Sequence, residues 1–386
     1  MRRTVCLATA ALLAAALVLA PGAGAGSASS FIRPGIYDDA EFLFGNPDRV
    51  FPILRQMNTR LLRMNLRWGG PNGVAQRKPA NPSDPDDPAY DWRAYDRAVV
   101  RARLAGVESM FAIVGTPSWA NGGQSWNVAP RSAIDLRRFA VAAARRYDGT
   151  NRDEDGNLIP AVRLWIAWNE PNNPVFLKPQ YVRRGSGWTV QSARDYARIC
   201  NAIVRGIKSI DSLSKVGCGV TAPRGNNNPL SARPSVAPIT FLRAMKAAGA
   251  AGFDAYAHHP YYGTRFETPS TPPPVVKGQP PTAVTLGNFD VLVKELTRLY
   301  GYKRIWVTEY GYQTNPPDRV FGVSWHDQAK YMTEAYQRLR RSARVDVFIW
   351  FLLRDEARPE GWQSGLYTRK WVRKDAREAF EHLAGS

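Results

Sequence analysis

Histidine and cysteine are scarce in this chain: its 386 residues hold four of the first and three of the second. Two of the histidines, His258 and His259, are adjacent, and an extended strand would point them to opposite faces, so a metal function is disfavoured and no cofactor is expected. The sequence lacks a G-x-S-x-G elbow and a clustered His/Asp set, which argues against serine- or metal-dependent esterase chemistry. It lacks any short self-similar repeat, which disfavours a solenoid or a propeller. Beyond the N-terminal segment no stretch stays apolar over the roughly 20 residues that cross a bilayer, so no stable membrane insertion is expected. Acidic residues are the minority charge, 33 against 52 Lys and Arg, for a formal net charge of +19.

What is present begins with a leader. Arg2 and Arg3, an apolar run from Ala8 to Ala20 and the small-residue pattern Ala23-Gly24-Ala25 read as an export signal over residues 1–26, so the mature protein is expected to be secreted. Removing that segment takes Cys6 with it and leaves Cys200, on a predicted helix, and Cys218, on the strand that should follow. One disulfide and two buried small apolar residues are both compatible with this pair. The hydrophobic fraction of 44% and charged fraction of 22% are those of a globular chain able to bury a full core, and residues 31–386 are expected to form one domain acting as a monomer. The arginines are scattered over many helices rather than gathered in one run, which favours a solvated basic surface over a nucleic-acid site. An anionic partner such as an acidic polysaccharide is the alternative reading of the same charge.

From Phe31 onward, short β-rich apolar segments alternate with helical patterns, the signature of repeated βα units around a parallel sheet. Eight strands are predicted: Gly35 to Tyr37, Leu61 to Leu66, Ser109 to Val114, Val162 to Trp168, Val216 to Thr221, Phe253 to Ala257, Ile305 to Thr308 and Val347 to Phe351. Helices with apolar residues at three- and four-residue spacing are predicted at Trp92 to Leu104, Ile134 to Tyr147, Ala193 to Ile210, Phe241 to Ala248, Asn288 to Tyr300 and Asp327 to Arg340. The count predicts an α/β fold, a single (β/α)8 TIM barrel. Long stretches rich in Pro, Gly and Asn follow strands at 69–90, 171–189, 224–238 and 265–281, where they would shape a cleft at the C-terminal face of the barrel or serve only as surface loops.

Two glutamates stand where that barrel would open. Glu170 follows the apolar segment Val162 to Trp168, and Glu309 follows Ile305 to Thr308, so both should project into the mouth. Two carboxyl groups across one pocket are what hydrolysis of a glycosidic bond requires, one to protonate the leaving oxygen and one to attack the anomeric carbon.

The run Trp168-Asn169-Glu170-Pro171-Asn172 resembles the fourth-strand signature of clan A glycoside hydrolases, which include the cellulase-like and β-xylosidase-like families. Trp306-Val307-Thr308-Glu309-Tyr310-Gly311 is similar to that clan's seventh-strand nucleophile motif. The resemblance spans nearly the whole chain after the leader and implies a retaining glycosidase, with Glu170 as acid/base and Glu309 as nucleophile. It further implies that Arg63 holds the nucleophile ionised and that Asn169 bonds the substrate 2-hydroxyl. In His258-His259-Pro260-Tyr261, similar to the clan's His-x-Tyr pattern, Tyr261 would donate to Glu309 and His259 would line the subsite. Trp350 resembles the eighth-strand tryptophan on which the sugar rests. Trp119, with Trp68, Trp126 and Trp188, offers either further sugar platforms or plugs packing loops onto the barrel. The spelling Trp-Asn-Glu-Pro-Asn and the His-Pro-Tyr segment lean toward the β-xylosidase-like branch. The third-strand end, Gly115 to Ala120, departs from the pattern by lacking the histidine that many members carry there. A carbohydrate substrate is thus expected; a transglycosidase would use the same residues, and an inactive carbohydrate- or cell-wall-binding barrel is the reading that the two glutamates oppose.

Overall fold

The computed structural model describes residues 31–275 and 281–385; the predicted leader, residues 1–26, lies outside them. Eight parallel strands close into a barrel. In chain order they are β1 (Arg33–Tyr37), β2 (Leu61–Arg67), β3 (Glu108–Val114), β4 (Leu164–Ala167), β7 (Lys215–Thr221), β8 (Ala255–His258), β9 (Arg304–Tyr310) and β10 (Val345–Phe351), with β1 pairing both β2 and β10 to complete the ring. The eight predicted strands are these eight, and the (β/α)8 barrel is confirmed. The remaining pair, β5 (Tyr181–Arg184) and β6 (Gly187–Val190), forms an antiparallel hairpin.

Strand alternation builds two cores. On β3, Met110, Ala112 and Val114 point into the barrel while Phe111 and Ile113 pack outward against the helices, and on β10 Val347 and Ile349 point inward while Phe348 and Trp350 point outward. Strands buried on both faces read as unbroken apolar runs, which is why they stand out in the sequence. Inside the barrel, Gly217 on β7 is required by space: a Cβ there would lie 2.7 Å from the ring of Trp306 on β9.

The predicted helices form with shifts of at most three residues at their ends: Arg93–Leu104, Ala133–Arg146, Gln191–Lys208, Pro238–Ala247, Phe289–Tyr300 and Trp325–Arg340. Their starts carry the expected chemistry in places. The Ser132 side chain accepts from Ile134 N, and the Ser324 side chain accepts from Asp327 N, each taking up an otherwise orphaned amide. Cys200, on the helix Gln191–Lys208, and Cys218, on β7, have Cα atoms 6.1 Å apart and are joined as a disulfide, which resolves the two readings of that pair.

One region departs from expectation. The stretch 171–189, read as irregular, contains β5 and most of β6. Each strand is only four residues long and none of its residues is buried, so no apolar alternation marks them; Gly185 at the turn, with φ +58°, is the local feature that lets the chain reverse.

Candidate active site

The barrel mouth gathers residues from four strands and the segments that follow them. Arg63 comes from the middle of β2, Asn169 and Glu170 from the turn after β4, His259 and Tyr261 from the segment after β8, and Thr308 and Glu309 from β9. Glu309 lies within β9, which runs two residues past the predicted end. The turn after β4 is sharp: Trp168 has φ +71° and Glu170 φ +37°, a left-handed conformation that costs roughly 1–3 kcal/mol for a residue with a side chain.

Arg63, fully buried, organises the Glu309 side. Its Nη1 donates to Glu309 Oε1 at 2.7 Å and to the Thr308 carbonyl at 2.6 Å, and its Nη2 donates to Asn169 Oδ1 at 2.7 Å. The Tyr261 hydroxyl donates to the other oxygen of Glu309, Oε2, at 3.1 Å. Burial, reinforced by the charges of Glu309 and Glu170, pushes the Tyr261 hydroxyl well above the ordinary phenol range, so it stays a donor. The guanidinium also lies over the Tyr37 ring, 4.4 Å from its centroid.

Glu170 lives in a different environment. Burial pushes its carboxyl up to about 7; donation from Asn173 and the charge of Arg63 oppose that rise. Its Oε1 lies 2.9 Å from His259 Nδ1, and its Oε2 accepts from Asn173 Nδ2 at 3.1 Å. His259 is fully buried, and burial pushes its imidazole down to about 3, so the ring is neutral across the working pH range. A neutral imidazole carries one N–H. Donating it from Nδ1 to an ionised Glu170 requires Nε2 to accept from the Thr308 hydroxyl, 3.0 Å away. One oxygen of Glu170, one of Glu309 and a ring nitrogen of His259 all lie within 4.8 Å of one another.

Two carboxylates and an imidazole at that spacing are also a metal-ligand set in kind. Against that use, the Arg63 guanidinium and the Tyr261 hydroxyl each hold one oxygen of Glu309, and Arg63 sets a fixed positive charge where a cation would need to approach. The arrangement suits a carboxylate held by a cation and a hydroxyl facing a second, buried carboxyl group better than it suits an ion.

The structure therefore brings together Arg63, Asn169, Glu170, His259, Tyr261 and Glu309. It does not bring in Trp350. That residue is fully buried on the outward face of β10, with Nε1 donating to the Ser364 carbonyl at 2.9 Å, so its ring cannot lie under a sugar; the residue of β10 that packs on the inward side is its neighbour Phe351. Trp119 is half-buried, its Nε1 donating to the Ala75 carbonyl at 2.9 Å and its ring set edge-on to Trp68, which makes it a plug for the loop after β2. Trp68 is fully buried, Trp126 is half-buried against Phe176, and Trp188 is exposed on β6. His259 is fully buried between Glu170 and Thr308 rather than presenting an open face to the subsite. Residues not foreseen are Asn173, three positions after Glu170 in the same turn, Thr308, and the aromatics Tyr37, Phe351 and Trp362. Asn173 and Thr308 could have been found by proximity to the motifs. Trp362 sits in a loop with no local pattern.

Residues 281–370 match a family model described as a glycosyl hydrolase catalytic core. None of the curated proteins compared with the chain by sequence matches it. Among solved structures, a family 39 glycoside hydrolase from Bacteroides cellulosilyticus WH2 is similar with a TM-score of 0.62 and 17% identity, over 92% of this chain and 63% of that one. A glucosidase from Croceicoccus marinus gives a TM-score of 0.63 and 16% identity, over 94% and 69%. A monomeric β-xylosidase from Caulobacter crescentus CB15 gives 0.57 and 18%, over 93% and 69%. At such identities the likeness establishes the barrel fold, and the chain spans less than two thirds of the first of these proteins. The resemblance to clan A glycoside hydrolases read from the two glutamate motifs is borne out.

Proposed function

We propose that this chain, a (β/α)8 barrel whose residues 281–370 match a glycosyl hydrolase catalytic core, hydrolyses an O-glycosidic bond of an oligo- or polysaccharide with retention of anomeric configuration. The observation that carries the reading is the approach of a Glu170 oxygen to a Glu309 oxygen within 4.8 Å. Carboxyl pairs that act by double displacement sit roughly 5–5.5 Å apart, whereas inverting pairs stand roughly 6.5–9.5 Å apart to admit a water.

The two environments supply the two roles. Glu170, lifted to about 7 by burial, carries a proton near neutral pH and gives it to the leaving glycosidic oxygen as the bond from that oxygen to the anomeric carbon breaks. A Glu309 oxygen forms an ester bond to the same carbon. In the second half a water gives a proton to Glu170, its oxygen bonds the anomeric carbon, and the ester to Glu309 breaks; two inversions leave the configuration retained. Burial, not the neighbouring carboxylate, is what raises Glu170 in the free enzyme, because Arg63 balances Glu309. Once Glu309 is esterified, the Arg63 charge is uncompensated and draws Glu170 toward its ionised form, which the water-activating step needs. Asn169, with Oδ1 fixed by Arg63, keeps Nδ2 available to a sugar hydroxyl. Transglycosylation would follow the same path with a sugar hydroxyl in place of water.

The leader pattern in residues 1–26 supports a secreted enzyme, and the Cys200–Cys218 disulfide accords with an oxidising compartment. The test pairs two variants on aryl glycosides. Glu309→Ala is expected to be inactive and partly rescued by azide, giving a glycosyl azide of inverted configuration. Glu170→Ala is expected to lose about 10²- to 10⁴-fold on poor leaving groups and far less on activated ones. Full activity in either variant would overturn the assignment.

A further inference from the structure

Resting on the glycosidase reading, we infer that Trp362 is the platform on which the sugar ring nearest Glu309 lies, and that this sugar is uncharged. The position expected of Trp350 is filled by aromatic rings from elsewhere. Tyr37 on β1 and Phe351 on β10 are paired in register, and their rings lie 5.1 Å apart. Phe351 meets Trp362 edge-on at 5.3 Å, and Trp362 meets Tyr261, again at 5.3 Å. Tyr261 donates to Glu309, Glu309 accepts from Arg63, and Arg63 lies over Tyr37. These residues close a ring of contacts with the nucleophile as one member.

Within that ring the degree of exposure singles out one aromatic. Tyr37 and Tyr261 are 9% and 6% exposed, and Phe351 is half-buried, whereas Trp362 is 36% exposed. A large aromatic ring left open against Tyr261, whose hydroxyl holds Glu309, is what the C–H face of a pyranose covers. The backbone that carries the ring is fixed by its own bonds. Trp362 N donates to Glu356 Oε2 at 3.1 Å, and Glu356 N donates to the Trp362 carbonyl at 3.0 Å. At the base of the same loop, the buried Lys374 Nζ donates to Asp355 Oδ1 at 2.7 Å and to the Gln363 carbonyl at 3.1 Å.

The charges around the ring argue for a neutral sugar. Those acting on Tyr37 and Tyr261 are Asp39, Glu170 and Glu309 against Arg63 and Arg67. Arg63 is committed to Glu309, Asn169 and the Thr308 carbonyl, and Arg67 lies 3.8 Å from Asp39. A uronic acid would bring another carboxylate to a wall whose cations are already paired.

The experiment measures binding of methyl β-xyloside, methyl β-glucoside and methyl β-glucuronide by calorimetry to the full chain carrying Glu309→Gln, with and without Trp362→Ala or Trp362→Phe, and turnover of the matching aryl glycosides in the Glu309-intact chains. Trp362→Ala is expected to weaken binding of the neutral glycoside and raise KM by about tenfold or more while kcat changes little, and Trp362→Phe is expected to restore most of the loss. The glucuronide is expected to bind at least about tenfold more weakly than the preferred neutral glycoside. Unchanged affinity in Trp362→Ala, or preference for the glucuronide, overturns the inference. A loss that Trp362→Phe does not restore, accompanied by a lowered melting temperature, assigns Trp362 a structural role and overturns it also. Absence of turnover by the Glu309-intact chain would instead refute the glycosidase reading, and the binding arm would still decide the platform.

Discussion

Glu170 Oε1 lies 2.9 Å from Nδ1 of His259, a ring that burial keeps neutral, while Glu309 is paired with the permanent charge of Arg63 at 2.7 Å. Two carboxyl groups on one pocket are thereby given unlike partners, and that difference is what supports the proposed division of labour between them.

The first consequence concerns pH. Glu170 must be protonated to act on the free enzyme's substrate, and its carboxyl is raised to about 7. The value of kcat/KM for a substrate with a poor leaving group is therefore expected to fall as pH rises through about 7. In Glu170→Gln, assayed with an activated leaving group, that limb should vanish. A pH–rate profile checks both, and a basic limb surviving in the variant would assign it to another group.

A second consequence concerns stability, with a definite sign. The folded-state value of about 7 lies above the ordinary 4.5, so Glu170 binds its proton more tightly in the native state. Its contribution is fully present below pH 4.5 and is lost as pH rises through 7. Glu170→Gln removes this penalty. The variant is expected to gain on the order of 3 kcal/mol relative to wild type at pH 8 and little at pH 4, as measured by denaturant unfolding across pH.

Arg63 should prove more costly to lose than any surface arginine. It is fully buried and serves Glu309, Asn169 and the Thr308 carbonyl with one planar fork. Arg63→Met leaves a buried carboxylate without its cation, so a loss of about 3–5 kcal/mol in stability is expected together with near-complete loss of kcat. Arg63→Lys offers a single ammonium and should recover stability in part but little activity. Thermal unfolding and steady-state kinetics on the two variants separate these outcomes.

The loop carrying Trp362 depends on another buried pair. Lys374 is fully buried at its side chain, donating to Asp355, to the Thr314 hydroxyl and to the Gln363 carbonyl, and Asp355 also accepts from Gly365 N. Lys374→Met strands the Asp355 carboxylate and is expected to cost about 3–5 kcal/mol, whereas the double change Lys374→Met with Asp355→Leu should cost markedly less. A double-mutant cycle by chemical denaturation reads the coupling.

How much of this was legible follows from where each residue sits. Glu170, Glu309, Arg63, His259 and Tyr261 occupy strands and strand ends, where an apolar run marks the element and its termination marks the mouth. Trp350 misled because Val345–Phe351 is apolar in both phases apart from Asp346, so period-two alternation could not tell which face enters the barrel. Trp119 sits in the four-residue helix Ser118–Asn121 and Trp362 in a loop, and their fates were decided by contacts outside those segments, with the Ala75 carbonyl in one case and with Tyr261 and Phe351 in the other. The hairpin β5–β6 was hidden because its strands are four residues long and each sends a single residue, Tyr181 or Val190, to the core, too few to write a pattern into the sequence.

The account is tested most directly by following, with proton NMR, the anomer first released from a glycoside hydrolysed by the wild-type chain. Retention of the substrate's configuration, followed by slow mutarotation, is the expected result for carboxyl oxygens within 4.8 Å of one another. First release of the opposite anomer would contradict it, because Glu309 could not then have formed a bond to the sugar.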